Sequence, residues 1–176
     1  PPALAFGSSA TFIARTIDKE LKHMGSIVTQ SASHVGTSFV EIYQNCNIFN
    51  DGAFSNLTDK EIKSDNVLAV EENLPMIFGK EKNKGLILDG TKFKVVNIGD
   101  HYSIDDILVH NPEDRNLGLM LSEMTYDENL PVPIGIFYRE NKQTYDSLML
   151  EQLAKAKDRK MDLQSMIKGE NSWIVK

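Results

Sequence analysis

The sequence predicts an α/β chain in which a parallel strand–helix–strand unit is followed by a small α+β extension. Two apolar, β-branched runs, residues 10–17 and 38–43, flank one amphipathic stretch of helix length. Past residue 66, short strand candidates alternate with tight-turn signals before further helical stretches. The composition, 41% hydrophobic and 25% charged, is that of a globular chain. A length of 176 residues suffices for one domain, or for one compact unit with an appendage.

The chain opens on Ala3-Leu4-Ala5-Phe6-Gly7, read as the last turn of a helix closed by its terminal glycine. Residues 10–17 are apolar on both faces and read as a buried strand. Asp18 is placed to cap a helix running to about Ser33, with Leu21, Met24, Val28 and Ala32 as its buried stripe. Gly36 ends that helix, and residues 38–43 form the next strand. A connection of this length makes the two strands parallel. Parallel strands belong to sheets of several strands covered on both faces. Residues 1–43 are therefore expected to be the last third of a larger α/β domain.

Residues 53–66 are polar and acidic and are read as a linker with a short helix capped by Thr58. Strand candidates at 75–78, 85–88 and 93–98 are joined by turns at Asn83-Lys84-Gly85 and Asp89-Gly90, giving a small antiparallel meander. Residues 107–109 are a candidate further strand. Asn111 and Pro112 start a helix whose core stripe is Leu117, Met120, Leu121 and Met124. Residues 132–138 are extended, and Pro133 places them at a sheet edge or in the first residues of a strand. Thr144 caps a last helix to about residue 160, with Tyr145, Met149, Leu153 and Ala156 along one side. Leu163, Met166, Ile167 and Trp173 are candidate anchors for the tail.

Nineteen basic against 25 acidic residues give a net charge of −6. No clustered basic face is visible, since the densest basic stretch, residues 155–160, contains Asp158; nucleic acid is not an expected partner. No apolar run approaches the ~18 residues of a membrane span, and no signal-peptide pattern opens the chain. With one cysteine in addition, the expected compartment is the reducing cytoplasm, away from membranes. A glycine-rich phosphate loop and a serine elbow are both missing from the sequence. His23, His34, His101 and His110 stand at no metal-ligand spacing from one another or from Cys46. The adjacent pairs Glu71-Glu72 and Asp105-Asp106 read as solvated charge, because neighbouring side chains diverge.

Cys46 follows the second strand directly, where parallel-sheet proteins place their chemistry. Two readings stay open on the residues alone. It is a half-buried structural thiol, or it is one member of a site completed by other residues. Asn45, Asn47 and Asn50 around it carry amides able to donate to a thiolate.

The run Ala3-Leu4-Ala5-Phe6-Gly7 with Thr11-Phe12-Ile13-Ala14-Arg15-Thr16, and then Gly36 through Glu41-Ile42-Tyr43-Gln44-Asn45-Cys46-Asn47-Ile48-Phe49-Asn50-Asp51-Gly52, resembles the β subunit of 2-oxoacid:ferredoxin oxidoreductases. It is most like the 2-oxoglutarate type. The resemblance continues through Val109-His110-Asn111, Pro133-Ile134-Gly135-Ile136-Phe137 and Tyr145-Asp146, and residues 41–52 are its most specific part.

The resemblance implies oxidative decarboxylation of a 2-oxoacid with coenzyme A, giving acyl-CoA, carbon dioxide and reduced ferredoxin. It implies thiamine diphosphate with Mg²⁺ and a 4Fe-4S cluster in the complete enzyme, and an α subunit and ferredoxin as partners. Residues 1–52 would then be the C-terminal portion of the thiamine-diphosphate-binding domain, 53–66 a linker, and 67–176 a family-specific α+β extension. The family's Gly-Asp-Gly motif, its later paired asparagines and its Cys-x-x-Cys pair are not in this sequence. Cys46 matches the remaining cluster ligand, and no catalytic or cofactor-binding residue is assigned in this chain. Such a segment alone is expected to be inactive and to bind neither cofactor. The alternative is a non-catalytic interaction or scaffold module. The acidic balance makes direct docking of ferredoxin, usually acidic itself, unfavourable.

Overall fold

Six consecutive buried residues form β1 (Phe12–Ile17), and β1 lies inside a four-stranded sheet ordered β2-β1-β7-β3. The computed structural model describes residues 1–157, 162–169, 172, 173 and 175. They form two compact units, Pro1–Lys142 and Gln143–Lys176.

In the first unit, α1 (Pro2–Gly7) precedes β1. The predicted glycine stop falls one turn element later. Ser9 takes the left-handed conformation (φ 61°), while Ser9 N donates to the Phe6 carbonyl and Ala10 N to the Ala5 carbonyl. This paired closure needs one left-handed residue just past the helix.

The expected βαβ unit is present: α2 (Leu21–Ser33) leads to β2 (Ser38–Tyr43), which runs parallel to β1 with Phe12 opposite Ser38 and Ile17 opposite Tyr43. Three local expectations differ. Asp18 does not cap α2; its carboxylate accepts from Asn45 N instead. The α2 stripe is rotated, with Leu21 70% and Val28 48% exposed and only Ile27 buried. Both faces of α2 carry apolar residues, so spacing alone does not choose between them. The bond between Thr16 Oγ1 and His23 Nδ1 (2.7 Å) and the packing of Ile27 on Phe12 and Ala14 set the rotation. Finally, α2 ends at Ser33 as expected, but with His34 rather than Gly36 at its C-cap; Gly36 (φ 145°) lies beyond, where a Cβ would collide with Thr11 Oγ1.

Residues 53–66 fold as two short helices, α3 (Ser55–Thr58) and α4 (Lys63–Asn66). Thr58 Oγ1 donates back to the Phe54 carbonyl rather than capping. Leu57 is buried against Ile17 and Ile134, so this stretch is packed onto the sheet. A strand not foreseen, β3 (Val67–Val70), follows. The meander forms as expected from β4 (Ile77–Phe78), β5 (Lys84–Asp89) and β6 (Lys92–Asn97). Residues 107–109 give only an isolated bridge, Val109 to Pro75.

Asp114, not Asn111, caps α5 (Arg115–Glu123), accepting from Asn116 N and Leu117 N. Leu117, Leu121 and Met124 enter the main core with Phe6, Ile13, Leu68 and Phe137. The last strand of the unit, β7 (Val132–Arg139), is antiparallel to β1 and parallel to β3. Strands from the two stretches separated in the sequence reading thus share one sheet. β7 lies inside the sheet, and Pro133 falls among its first residues, the second of the two expected places. Pairing with β1 begins only at Gly135, so at Pro133 the strand has one neighbour and no ladder bond is lost on the other side.

In the second unit Thr144 caps α6 (Tyr145–Lys157), with Ser147 N donating to Thr144 Oγ1 at 3.4 Å. No α6 residue is buried, and Leu163, Met166 and Ile167 of α7 (Leu163–Lys168) are exposed, as is Trp173. Residues 158–160 of the expected long helix and basic stretch lie outside the described residues. Among the described residues no helix is long and apolar enough to cross a membrane.

Candidate functional site

The loop carrying Cys46 leaves the carboxyl end of β2 beside the end of β1. Asp18 N donates to the Tyr43 carbonyl (2.9 Å), and the Asp18 carboxylate receives Asn45 N (3.3 Å). Asn45 then closes the loop. Its Oδ1 accepts from Gly52 N (2.8 Å), and its Nδ2 donates to Asp51 Oδ1 (3.0 Å) and Asn47 Oδ1 (2.8 Å). Within this closure Asn50 N donates to the Cys46 carbonyl (2.8 Å), and Gly52 supplies the positive φ (77°) that turns the chain out.

Cys46 itself is half-buried. The backbone N–H groups of Phe49 and Ile48, and to a smaller extent that of Asn50, hold its thiol below the ordinary range, against an opposing effect of burial. Of the three asparagines foreseen as sulfur donors, Asn45 has its amide engaged elsewhere, in closing the loop. Ile48 and Phe49, between them, are 83% and 89% exposed.

At the root of the loop, Tyr43 and Phe54 stack with ring centroids 4.6 Å apart and planes 10° off parallel. Below Tyr43 lies a buried charge that sequence reasoning missed. Arg15, 1% exposed, has its guanidinium 5.1 Å from the Tyr43 and Phe137 ring centroids. Its Nε pairs with Glu41 (2.6 Å), and its terminal nitrogens donate to the carbonyls of Pro133 and Ser122. The one signal available was an arginine inside an otherwise apolar strand.

The four histidines do not converge on Cys46. His34 bonds Thr11 and His23 bonds Thr16. His110 is buried, and its Nε2–H donates to the Ile136 carbonyl (2.7 Å). Among the acidic pairs, Glu72 binds Arg139 (2.7 Å), and Asp106 closes a capping box with Ser103. Among the described residues no three His, Cys, Asp or Glu side chains are grouped to hold a metal. With one cysteine in the sequence, these residues could supply one thiolate to an iron–sulfur cluster and no more. A cavity of about 320 Å³ lies away from this loop, lined by His23, Gln30, Glu71, Glu72, His110 and Arg139 among others.

No protein-family model matches the chain. The chain is 32% identical over 182 residues to the 2-oxoglutarate oxidoreductase subunit KorB of Mycobacterium tuberculosis, a match covering 99% of this chain and 48% of that protein. It is 32% identical over 62 residues to the 2-oxoacid:ferredoxin oxidoreductase subunit beta of Saccharolobus solfataricus, covering 35% of this chain and 20% of that one. Among solved structures, the 2-oxoglutarate:ferredoxin oxidoreductase of Magnetococcus marinus, with 2-oxoglutarate, coenzyme A and succinyl-CoA bound, superposes with a TM-score of 0.56. That match covers 95% of this chain and 43% of the other at 15% identity, a likeness of fold. The chain thus spans about half the length of the curated relative it matches throughout. Over nearly its whole length the chain is thus a homologue of a 2-oxoglutarate oxidoreductase subunit, and over about a third of it a homologue of a 2-oxoacid:ferredoxin oxidoreductase subunit beta.

Proposed function

We propose that the chain is the C-terminal part of a β subunit whose complete enzyme decarboxylates 2-oxoglutarate oxidatively, with coenzyme A, to succinyl-CoA, carbon dioxide and reduced ferredoxin. The observation that carries this is the 32% identity spread over 99% of the chain. In the complete enzyme, thiamine diphosphate with Mg²⁺ supplies the carbanion chemistry of decarboxylation, and a 4Fe-4S cluster passes the released electrons to ferredoxin.

This chain's share of the work is support and ligation. The buried strand β1, with β2 paired beside it, fixes the strand ends, and the loop after β2 presents Cys46 as one cluster ligand. The N–H groups of Phe49, Ile48 and Asn50 stabilise negative charge on that sulfur. The partners on this reading are an α subunit and ferredoxin, the compartment is the cytoplasm, and the 176 residues alone do not turn over.

The test is to produce the complete subunit with its α partner and measure coenzyme A-dependent reduction of methyl viologen by 2-oxoglutarate. Reduction with stoichiometric succinyl-CoA is expected. A folded, iron-loaded complex that reduces the dye with no 2-oxoacid overturns the proposal.

A further inference from the structure

The cavity of about 320 Å³ lies between one face of α2 and the strands β3 and β7. Ile27 of α2 packs on Phe12 and Ala14 of β1. Beyond that contact the sheet offers little bulk, since Ala69 of β3 and Gly135 of β7 line the cleft. The space is that of ~10 water molecules, at the lower end of the range for small-molecule sites. Its polar groups are short of donors. Arg139, the cation lining it, is already paired with Glu72 at 2.7 Å. Glu71, beside Glu72, pairs with no lysine or arginine among the described residues. His110, 1% exposed, gives its Nε2–H to the Ile136 carbonyl (2.7 Å), so its Nδ1 carries a lone pair. Among the described residues that Nδ1 is the one buried side-chain nitrogen or oxygen with no hydrogen-bond partner. A buried acceptor without a donor is costly, and burial also disfavours protonating the ring.

We propose that this cleft binds a small primary amine in its ammonium form, with one N–H donated to His110 Nδ1, the charge met by the Glu71 carboxylate, and the apolar body against Ile27, Ala69 and Ile136. An ammonium brings three donors and no acceptor, which matches what the cleft lacks. A carboxylate or phosphate would set negative charge beside Glu71 and bring no proton to His110. Among the described residues no three metal-ligating side chains converge, so the cation is organic rather than a metal ion. The cleft shares no residue with the Cys46 loop, and the proposal does not depend on the role of Cys46.

The experiment titrates n-butylamine, n-butanol and butyrate separately into the complete α/β holoenzyme and follows each by saturation-transfer NMR. Saturable binding of n-butylamine is expected, with no matching response from n-butanol. Glu71→Gln, a change at an exposed side chain, is expected to weaken it about tenfold, the loss of one charge-assisted hydrogen bond. His110→Phe, which removes the acceptor, is expected to weaken it as well. Ala69→Leu, which fills the cleft, is expected to abolish it. Because His110 is buried, a thermal melt checks that His110→Phe folds; where it does not, Glu71→Gln and Ala69→Leu decide. No saturation by n-butylamine, or a titration that either Glu71→Gln or Ala69→Leu leaves unmoved, overturns the proposal. So does n-butanol binding as tightly as the amine, which makes the cleft merely apolar. Butyrate binding that Ala69→Leu abolishes assigns the cleft to anions through Arg139 and equally overturns it.

Discussion

Arg15 and Glu41 face each other across β1 and β2 and pair at 2.6 Å, with the arginine side chain 1% and the glutamate 11% exposed. The guanidinium is also bonded to two carbonyls, on β7 and at the end of α5, so one side chain ties three strands and a helix. A buried ion pair adds little net stability against an apolar pair of the same shape, but removing one partner leaves the other charge uncompensated. Glu41→Ala is therefore expected to lower the unfolding free energy by about 3–5 kcal/mol, as read by urea titration. The double change Arg15→Met with Glu41→Leu is expected to recover most of that loss. A loss for Glu41→Ala within the ~0.5 kcal/mol of a surface change would show that the pair is not desolvated.

Two helical glycines make an opposed pair. A Cβ on Gly118 would lie 2.5 Å from the Phe137 carbonyl oxygen and 3.0 Å from Phe6, because α5 rests directly on β7. A Cβ on Gly25 in α2 meets nothing within 4 Å. Gly118→Ala is expected to destabilise by about 1–3 kcal/mol through overpacking. Gly25→Ala is expected to stabilise by about 0.5–1 kcal/mol through helix propensity. Thermal melts of both variants check the opposite signs.

The parts of the fold legible in the sequence are those where one strong local signal sufficed. Residues 12–17 and 38–43 declared themselves as strands by their mostly apolar, β-branched and aromatic residues, and Asn83 to Gly90 by its turns. The arrangement set by long-range partners was not legible. The rotation of α2 depends on His23 finding Thr16. The insertion of β7 between β1 and β3 depends on pairing across more than 60 residues of sequence. At the candidate site, the location of Cys46 past a strand end was readable. The division of labour around it was not, because an asparagine's residue type does not say whether its amide turns to a sulfur or to Gly52.

Buried imidazoles make stability fall on mild acidification. Desolvation lowers the proton affinity of His110 and His23 in the folded chain, opposed in part by the Ile136 carbonyl and then Glu72 at His110, and by Glu20 and Glu71 at His23. Burial, with Arg139 nearby, does the same for His34. The unfolded chain, with ordinary values of ~6.5, then binds more protons than the folded chain, so stability drops as pH falls through that value. The drop levels off once the lowered folded-state values are passed. Urea midpoints measured from pH 8 to 5 are expected to decrease toward the acid end. In His110→Gln, which removes one such group, the decrease is expected to be shallower. A flat profile for the parent chain would contradict desolvation of these rings.

The thiol of Cys46 is lowered by the N–H groups of Phe49, Ile48 and Asn50, and these act only while the loop is closed. The thiolate is the reactive form of a cysteine. Alkylation of the cluster-free chain by iodoacetamide is therefore expected to titrate at lower pH than in the same chain unfolded in urea, where the loop donors are gone. The chain has one cysteine, so the rate reports this site without correction for others. The Cys46 titration is expected to move back toward the unfolded curve in Asn45→Ala, because the opened loop no longer holds its N–H groups on the sulfur. Coincident folded and unfolded curves would show that the main chain leaves the sulfur's charge unsupported.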